Sequence, residues 1–300
     1  PSRAEFLRAV TGGISLAAAR GARSGDRKMI SRPIPSTGEA MPVVGLGTWQ
    51  VFDVGADPAA RQPLREVLRH LFDAGGKMID TSPMYGGAEG VTGDLVAELE
   101  ARPRAFLATK VWTRGREQGI ERSARLLRSP VIDLVQIHNL LDWRTHLATL
   151  RQMKEQGRIR YIGITHYTTG ALAELAQILA AEPGIDFVQC GYSLATRAAE
   201  ERLLPVAADR RIAVIVNQPF ETGDMFRRVR GKPPPDWAGD FDCAGWAQLF
   251  LKYIIAEPAV TCVIPATDKP EHMADDVQAG FGRLPDAAQR QRIREFWDSL

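Results

Sequence analysis

The chain has 300 residues, 45% of them apolar and 25% charged, with a formal net charge of +2. That composition is ordinary for a globular protein, with enough chain for one large core or two modest ones. Arginines interleaved with acids and a near-neutral balance point neither to nucleic acid nor to an anionic membrane surface as a partner. The three cysteines, Cys190, Cys243 and Cys262, form no disulfide framework and no Cys-x-x-Cys or Cys/His zinc pattern. No apolar run is long enough to span a bilayer.

Residues 1–27 stand apart from the regular pattern. Ser2-Arg3-Ala4-Glu5-Phe6-Leu7-Arg8 precedes a weakly apolar run of small residues that ends in Ala19-Arg20-Gly21-Ala22. The segment resembles a bacterial twin-arginine export signal with Ala4 in place of the second arginine. Two readings stay open: an altered export signal, implying the periplasm, or an amphipathic tail with no address, implying the cytoplasm.

From residue 28 the pattern is regular. Residues 29–42 predict a hairpin around Ser36-Thr37-Gly38-Glu39. Residues 43–48 predict a strand, and Leu64, Val67, Leu68 and Leu71 line one face of a helix that Gly75-Gly76 ends. Residues 77–80 are the second strand. Further strands are expected at 106–110, 134–138, 159–165, 187–192, 212–216 and 260–265. Helices alternate with them at 117–128, 145–156, 171–181, 198–209, 245–256 and 270–281, and a terminal helix covers 287–300. A Gly/Pro-rich excursion occupies 221–239.

Strands alternating with helices imply a parallel sheet. About eight such units fit a closed (β/α)8 TIM barrel of the α/β class, one domain over residues 28–300 with an N-terminal β-hairpin. A doubly wound open sheet is the alternative. No Gly-x-Gly-x-x-Gly leads from a strand into a helix, which weakens it.

Barrels of this kind carry their active sites at the C-terminal ends of the strands. There the sequence places Asp80, with Tyr85 just beyond it, then Lys110, then His138, on three successive strands. A tyrosine ionises near pH ~10, and an adjacent lysine ammonium is expected to lower that value. A carboxylate beside the lysine would keep it charged, and a histidine beside the phenol could orient a carbonyl oxygen. Such a set is a proton relay for a carbonyl or an alcohol. Each residue alone has a plainer reading: a snorkelling lysine, a core histidine, an aspartate cap. Their meeting on adjacent strands favours the relay. Of the five histidines only His138 and His166 lie at strand ends, and no His-x-His occurs, so no metal is expected.

Several motifs together resemble the aldo-keto reductase family. They are Gly45-Leu46-Gly47-Thr48-Trp49, Ile79-Asp80-Thr81-Ser82-x-Met84-Tyr85-Gly86, Ala108-Thr109-Lys110-Val111-Trp112 and Gln136-Ile137-His138. Gly157-x-Ile159-Arg160-Tyr161-Ile162-Gly163-Ile164, Gln189 and Ile264-Pro265-Ala266-Thr267-x-Lys269-Pro270-Glu271-His272 follow in order. The resemblance covers residues 30–280. It implies a monomeric or weakly associated barrel that uses NADPH, with NADH possible, to reduce an aldehyde or ketone. Tyr85 would be the acid/base, Lys110 its partner, Asp80 the lysine's counter-ion and His138 the substrate orienter.

The resemblance also assigns the coenzyme. Thr48, Trp49 and Asp80 would lie along the nicotinamide, with Thr165, His166 and Gln189 at its carboxamide. Asn217, Gln218 and Phe220 would follow. Ile264, Ala266, Thr267, Lys269, His272, Asp275 and Asp276 would hold the adenosine end. Trp49, Met84 and Trp112 would wall the substrate pocket. Two departures stand out. Asn217 occupies the position of a tyrosine that usually stacks on nicotinamide. Ala266 and His272 replace a frequent lysine and arginine at the 2′-phosphate, which implies weakened discrimination between NADPH and NADH. The chain ends soon after its last helix, so an open, permissive pocket is expected. A coenzyme-binding regulatory barrel with little turnover is the alternative function.

Overall fold

The computed structural model describes residues 28–115 and 119–300. The export-like segment, and the start of the helix expected at 117–128, lie outside the described residues. A hairpin comes first, with β1 (Ser31–Pro33) antiparallel to β2 (Ala40–Pro42). The parallel strands are β3 (Leu46–Gly47), β4 (Met78–Asp80), β5 (Phe106–Val111), β6 (Ile132–His138), β7 (Ile159–His166), β8 (Phe187–Gly191), β9 (Ala213–Asn217) and β10 (Val260–Val263). They form an 8-stranded sheet in strict chain order. Val44 bridges to Val263 and Gly47 to Ala266 in parallel, so the first strand meets the last and the barrel closes.

Helices α1 (Pro58–Asp73), α2 (Ala88–Glu98), α3 (Ile120–Leu126), α4 (Trp143–Glu155), α5 (Leu172–Ala181), α6 (Leu203–Asp209), α8 (Trp246–Ile255) and α9 (Pro270–Asp276) complete the βα units. Helix α7 (Asp224–Arg228) lies in the excursion after β9, and α10 (Ala287–Ser299) is terminal. The sequence reading gave no helix at 88–98. Helix α2 contains Gly90 and Gly93 and is buried around most of its circumference, so it shows no one-sided apolar stripe. Helix α6 begins at Leu203, with Pro205 in its first turn, and residues 198–200 form a separate 3-10 turn.

The strand period of two sorts each strand into an outer and an inner set. Leu107, Val135, Ile137, Ile162, Ile164, Val188, Val214 and Val216 face the helices and join the larger apolar cluster. Phe106, Ala108, Leu134, Tyr161, Phe187, Ala213, Ile215 and Cys262 fill the barrel interior, with Ile34 and Met41 of the hairpin closing its N-terminal end. Continuing the inward set by two residues leads to Lys110 on β5, Gln136 and His138 on β6, Thr165 on β7, Gln189 on β8 and Asn217 on β9. The aromatic floor of the barrel and its polar upper layer are consecutive tiers of one pattern.

Candidate active site

Lys110 is held from three sides. Its Nζ donates to Asp80 Oδ2 at 2.5 Å and to the Thr81 carbonyl at 2.9 Å. The ammonium lies 4.9 Å from the centre of the Tyr85 ring. Burial pulls Lys110 down, but Asp80 and then Tyr85 outweigh it, and its pKa stands above the ordinary lysine value.

Tyr85 departs from the sequence expectation. Burial pushes its phenol up, Lys110 pulls it down and Asp80 pushes it up again, and the net result lies above the ordinary value of 10.0. Lys110 therefore limits a rise and does not produce a fall. The phenol is protonated at neutral pH. Behind it, Gly86 adopts φ +60°, and a Cβ there would strike the Asp53 carboxylate at 2.2 Å. That carboxylate accepts from the Gly87 N–H at 2.8 Å and pins the turn that carries Tyr85.

The His138 ring sits edge-on to Tyr85, with 6.1 Å between ring centroids. Burial, then the Lys110 charge, then His166 lower its pKa to about 3, so the ring is neutral. Ser82 Oγ lies 3.3 Å from Nδ1 and already accepts the Met84 N–H at 3.2 Å. A hydroxyl proton given to Nδ1 would leave the ring's own N–H on Nε2.

Asp80 is the hub. Besides Lys110 on Oδ2, its Oδ1 accepts from Gln136 Nε2 at 2.8 Å and from Gln189 Nε2 at 2.9 Å. Gln189 Oε1 in turn accepts from Thr165 Oγ1 at 3.3 Å and Asn217 Nδ2 at 3.1 Å. Thr165 and Gln189, expected only at a coenzyme amide, are thus wired into the proton-transfer group. Asn217 Oδ1 is sealed from solvent and has no partner among the described residues.

These groups line the floor of a cavity of about 1160 Å³ at the C-terminal mouth of the barrel. Thr48, Trp49, Met84, Tyr85 and His138 line it, as do Asn217, Gln218 and Phe220. So do Ile264, Ala266, Thr267, His272, Asp275 and Asp276, on the strand end that Gly47 bridges and the turn and helix beyond it. Lys110 stands behind the wall. Trp112, His166 and Lys269 do not line the cavity. Trp112 is 43% exposed, and His166 Nδ1 instead accepts the Thr168 N–H at 3.2 Å. The sequence reading missed Tyr167, Phe226 and Trp246, which join the wall from the loop after β7, from α7 and from the start of α8. It also missed Gln136, Ser82 and Asp53 as supports. Gln136 carried a legible signal, a polar residue two positions before His138 on an apolar strand; Asp53 in its loop carried none.

The two neighbouring acids Asp275 and Asp276 are unlike one another. Asp275 Oδ1 accepts from Gln248 Nε2 at 2.5 Å. Asp276 is buried, and burial followed by the Asp275 charge pushes its carboxyl up to about 8. Among the described residues no lysine or arginine lines the cavity. Elsewhere, burial pushes the Cys190 thiol up to about 12, as suits an apolar core residue.

An aldo/keto reductase from Klebsiella pneumoniae, solved in complex with NADP and acetate, superposes with a TM-score of 0.71 at 26% identity, over 87% of this chain and 93% of that one. Methylglyoxal reductase YeaE of Escherichia coli is 31% identical over 202 residues, 63% of this chain and 67% of its own length. An NADH-specific methylglyoxal reductase of Escherichia coli is 28% identical over 228 residues, 64% of this chain and 67% of its own. The aldo/keto reductase family model matches residues 43–298, nearly the whole barrel, and the chain belongs to that family.

Proposed function

We propose that this protein is an NAD(P)H-dependent carbonyl reductase that converts an aldehyde or ketone to an alcohol, with Tyr85 as the proton donor. The observation that carries the reading is the buried Lys110, which donates to Asp80 and Thr81 with its ammonium 4.9 Å from the centre of the Tyr85 ring, beneath an open cavity. The cavity, about 1160 Å³ and lined by residues from Tyr85 and His138 to Thr267 and Asp276, has room for a dinucleotide. Thr165 and Gln189, which line it, supply a hydroxyl and an amide suited to a carboxamide.

The coenzyme, when bound, supplies the hydride. The chain's own residues manage the oxygen. His138 is neutral and offers Nε2–H to the carbonyl oxygen, which polarises and orients it. Tyr85 gives its proton to that oxygen as negative charge develops there, and Lys110 stabilises the phenolate left behind. Asp80 keeps Lys110 charged, so it anchors and does not act as a base.

Trp49, Met84, Tyr167 and Phe226 expose large apolar surfaces at the cavity mouth, at 45, 45, 52 and 37%. These apolar surfaces, with no lysine or arginine beside them among the described lining residues, suit a substrate that is an uncharged carbonyl compound with apolar substituents. Methylglyoxal belongs among the candidates because two relatives are named for it.

The test is oxidation of NADPH and NADH over a panel of aldehydes, ketones and sugars, run beside Tyr85→Phe. Turnover of one or more carbonyls by the unaltered protein and its loss in Tyr85→Phe are expected. Turnover that survives intact in Tyr85→Phe would refute the assigned mechanism. Tight coenzyme binding with no turnover on any substrate would favour a regulatory barrel.

A further inference from the structure

Gln136 takes no part in the site as the sequence presents it, yet its surroundings are shaped to it. It is fully buried in β6, on the same inward face as His138. Its register partner on β7 is Gly163, where a Cβ would come within 2.9 Å of Gln136 Cγ. The missing side chain makes room for the amide. Gln136 Nε2 donates to Asp80 Oδ1 at 2.8 Å, and its Oε1 has no partner among the described residues. A carboxylate only accepts, so Nε2 must face Asp80 and Oε1 must face away. A buried acceptor with no partner is a standing cost that an apolar side chain of equal length would avoid. The offsetting gain lies at Asp80.

We propose that Gln136 is a positioning residue of the proton-transfer site, fixing the Asp80 carboxylate and drawing off part of its charge so that Lys110 acts on Tyr85. The proposal rests on the reductase reading above. With the amide in place, Asp80 shares its charge between Oδ2, facing Lys110, and Oδ1, facing two neutral donors. Without it, Asp80 holds Lys110 harder and its field on the phenol grows. Both changes make the Tyr85 proton harder to remove. The other titratable groups around Asp80 and Tyr85 are His138 on β6, His166 behind it on β7 and the Cys262 thiol on β10. His138 is neutral throughout, His166 is lowered by burial, and burial drives Cys262 far up. None of these supplies an alkaline limb that could be confused with Tyr85. Asp276, on the same cavity wall and pushed up to about 8, could, so the limb is also followed in Asp276→Asn, which removes an Asp276 limb and keeps that of Tyr85.

Alcohol oxidation with NAD(P)+ needs the phenolate, so its rate rises with pH along the Tyr85 limb. The test is Gln136→Met, with Gly163→Ala as a second variant that crowds the amide without deleting it. Thermal midpoint, coenzyme Kd by fluorescence, and kcat and KM for alcohol oxidation against pH are measured on the full chain. Gln136→Met is expected to keep or raise the thermal midpoint and to leave Kd and KM unchanged to within about twofold. Its kcat limb moves to higher pH by about half a unit, which is a loss of about threefold below the limb. Gly163→Ala shifts the limb in the same sense. A limb that superimposes on that of the unaltered protein overturns the proposal. So does joint loss of stability and rate in Gln136→Met with the limb unmoved, since that marks a purely structural role. If the unaltered protein binds coenzyme but turns over neither carbonyl nor alcohol, the reductase reading falls and the proposal falls with it.

Discussion

Lys110→Met isolates the charge at the centre of the site. Lys110 and Asp80 lie 2.5 Å apart with side chains 1% and 4% exposed. At that separation, and with an effective dielectric of about 20, two unit charges attract by about 6–7 kcal/mol, most of it offset by the desolvation both groups undergo. Removing one partner leaves the other charged and buried, which costs about 3–5 kcal/mol. Gln136 and Gln189 still donate to Asp80 Oδ1 in the variant, so the lower end, about 3 kcal/mol, is expected. At about 2–4 °C per kcal/mol for a domain approaching this size, the thermal midpoint falls by about 6–12 °C.

The assay is a double-mutant cycle at neutral pH with Asp80→Asn, read by thermal unfolding and by kcat. In the double variant the stranded charge is gone, so it recovers at least half of the stability that Lys110→Met loses. Because the Lys110 pKa is raised on folding, its contribution is fully present below the ordinary lysine value. It is lost only as pH rises through the higher folded-state value. The gap between the unaltered protein and Lys110→Met therefore stays constant from weakly acidic to weakly alkaline pH. Simple additivity of the two single losses, or a gap that closes near neutrality, would refute the reasoning.

Three further outcomes follow from the geometry. Because Tyr85 is raised above its ordinary value and His138 is lowered to about 3, kcat/KM for carbonyl reduction is flat across neutral pH; a limb near the ordinary histidine value would contradict the neutral ring. Ser82→Ala removes the hydroxyl that faces His138 Nδ1 and lowers kcat by about two- to tenfold, the worth of one hydrogen bond, with coenzyme Kd unchanged; an unchanged kcat would show that Ser82 does not set the tautomer. Among the described residues the cavity wall carries no lysine or arginine, so preference for NADPH over NADH is expected to stay below about a hundredfold, or about 2.7 kcal/mol. Ala266→Lys raises that preference by about tenfold through one charged contact, read from the two coenzymes' kcat/KM.

The barrel was legible because each of its units repeats a strong local signal. A buried strand of four to seven apolar residues, a turn and a one-sided helix recur, and the strand ends then mark the rim. Asp80, Lys110 and His138 are all strand-end polar residues, and the structure brings them together as the period of two requires. What escaped the sequence depends on contacts between distant segments. Helix α2 hid because burial on most sides erases the amphipathic stripe. Asp53 lies far from Tyr85 along the chain and meets its turn only across the rim. Trp112 follows directly on β5, yet it turns to solvent and not into the cavity.

The largest shortfall is the sign of the Tyr85 shift, and its cause is general. Sequence spacing can show that a lysine will stand beside a tyrosine, which argues for a lowered phenol. It cannot show how deeply both are buried, or that burial together with the Asp80 charge outweighs the lysine. In this barrel burial is the largest influence on Tyr85 and on Lys110 alike. The site therefore rests as an acid, with its proton on the phenol and the positive charge already in place to receive the phenolate. That resting state suits reduction. It makes the reverse reaction depend on how tightly Asp80 competes for Lys110, and that competition is set by the two glutamine amides on Asp80 Oδ1.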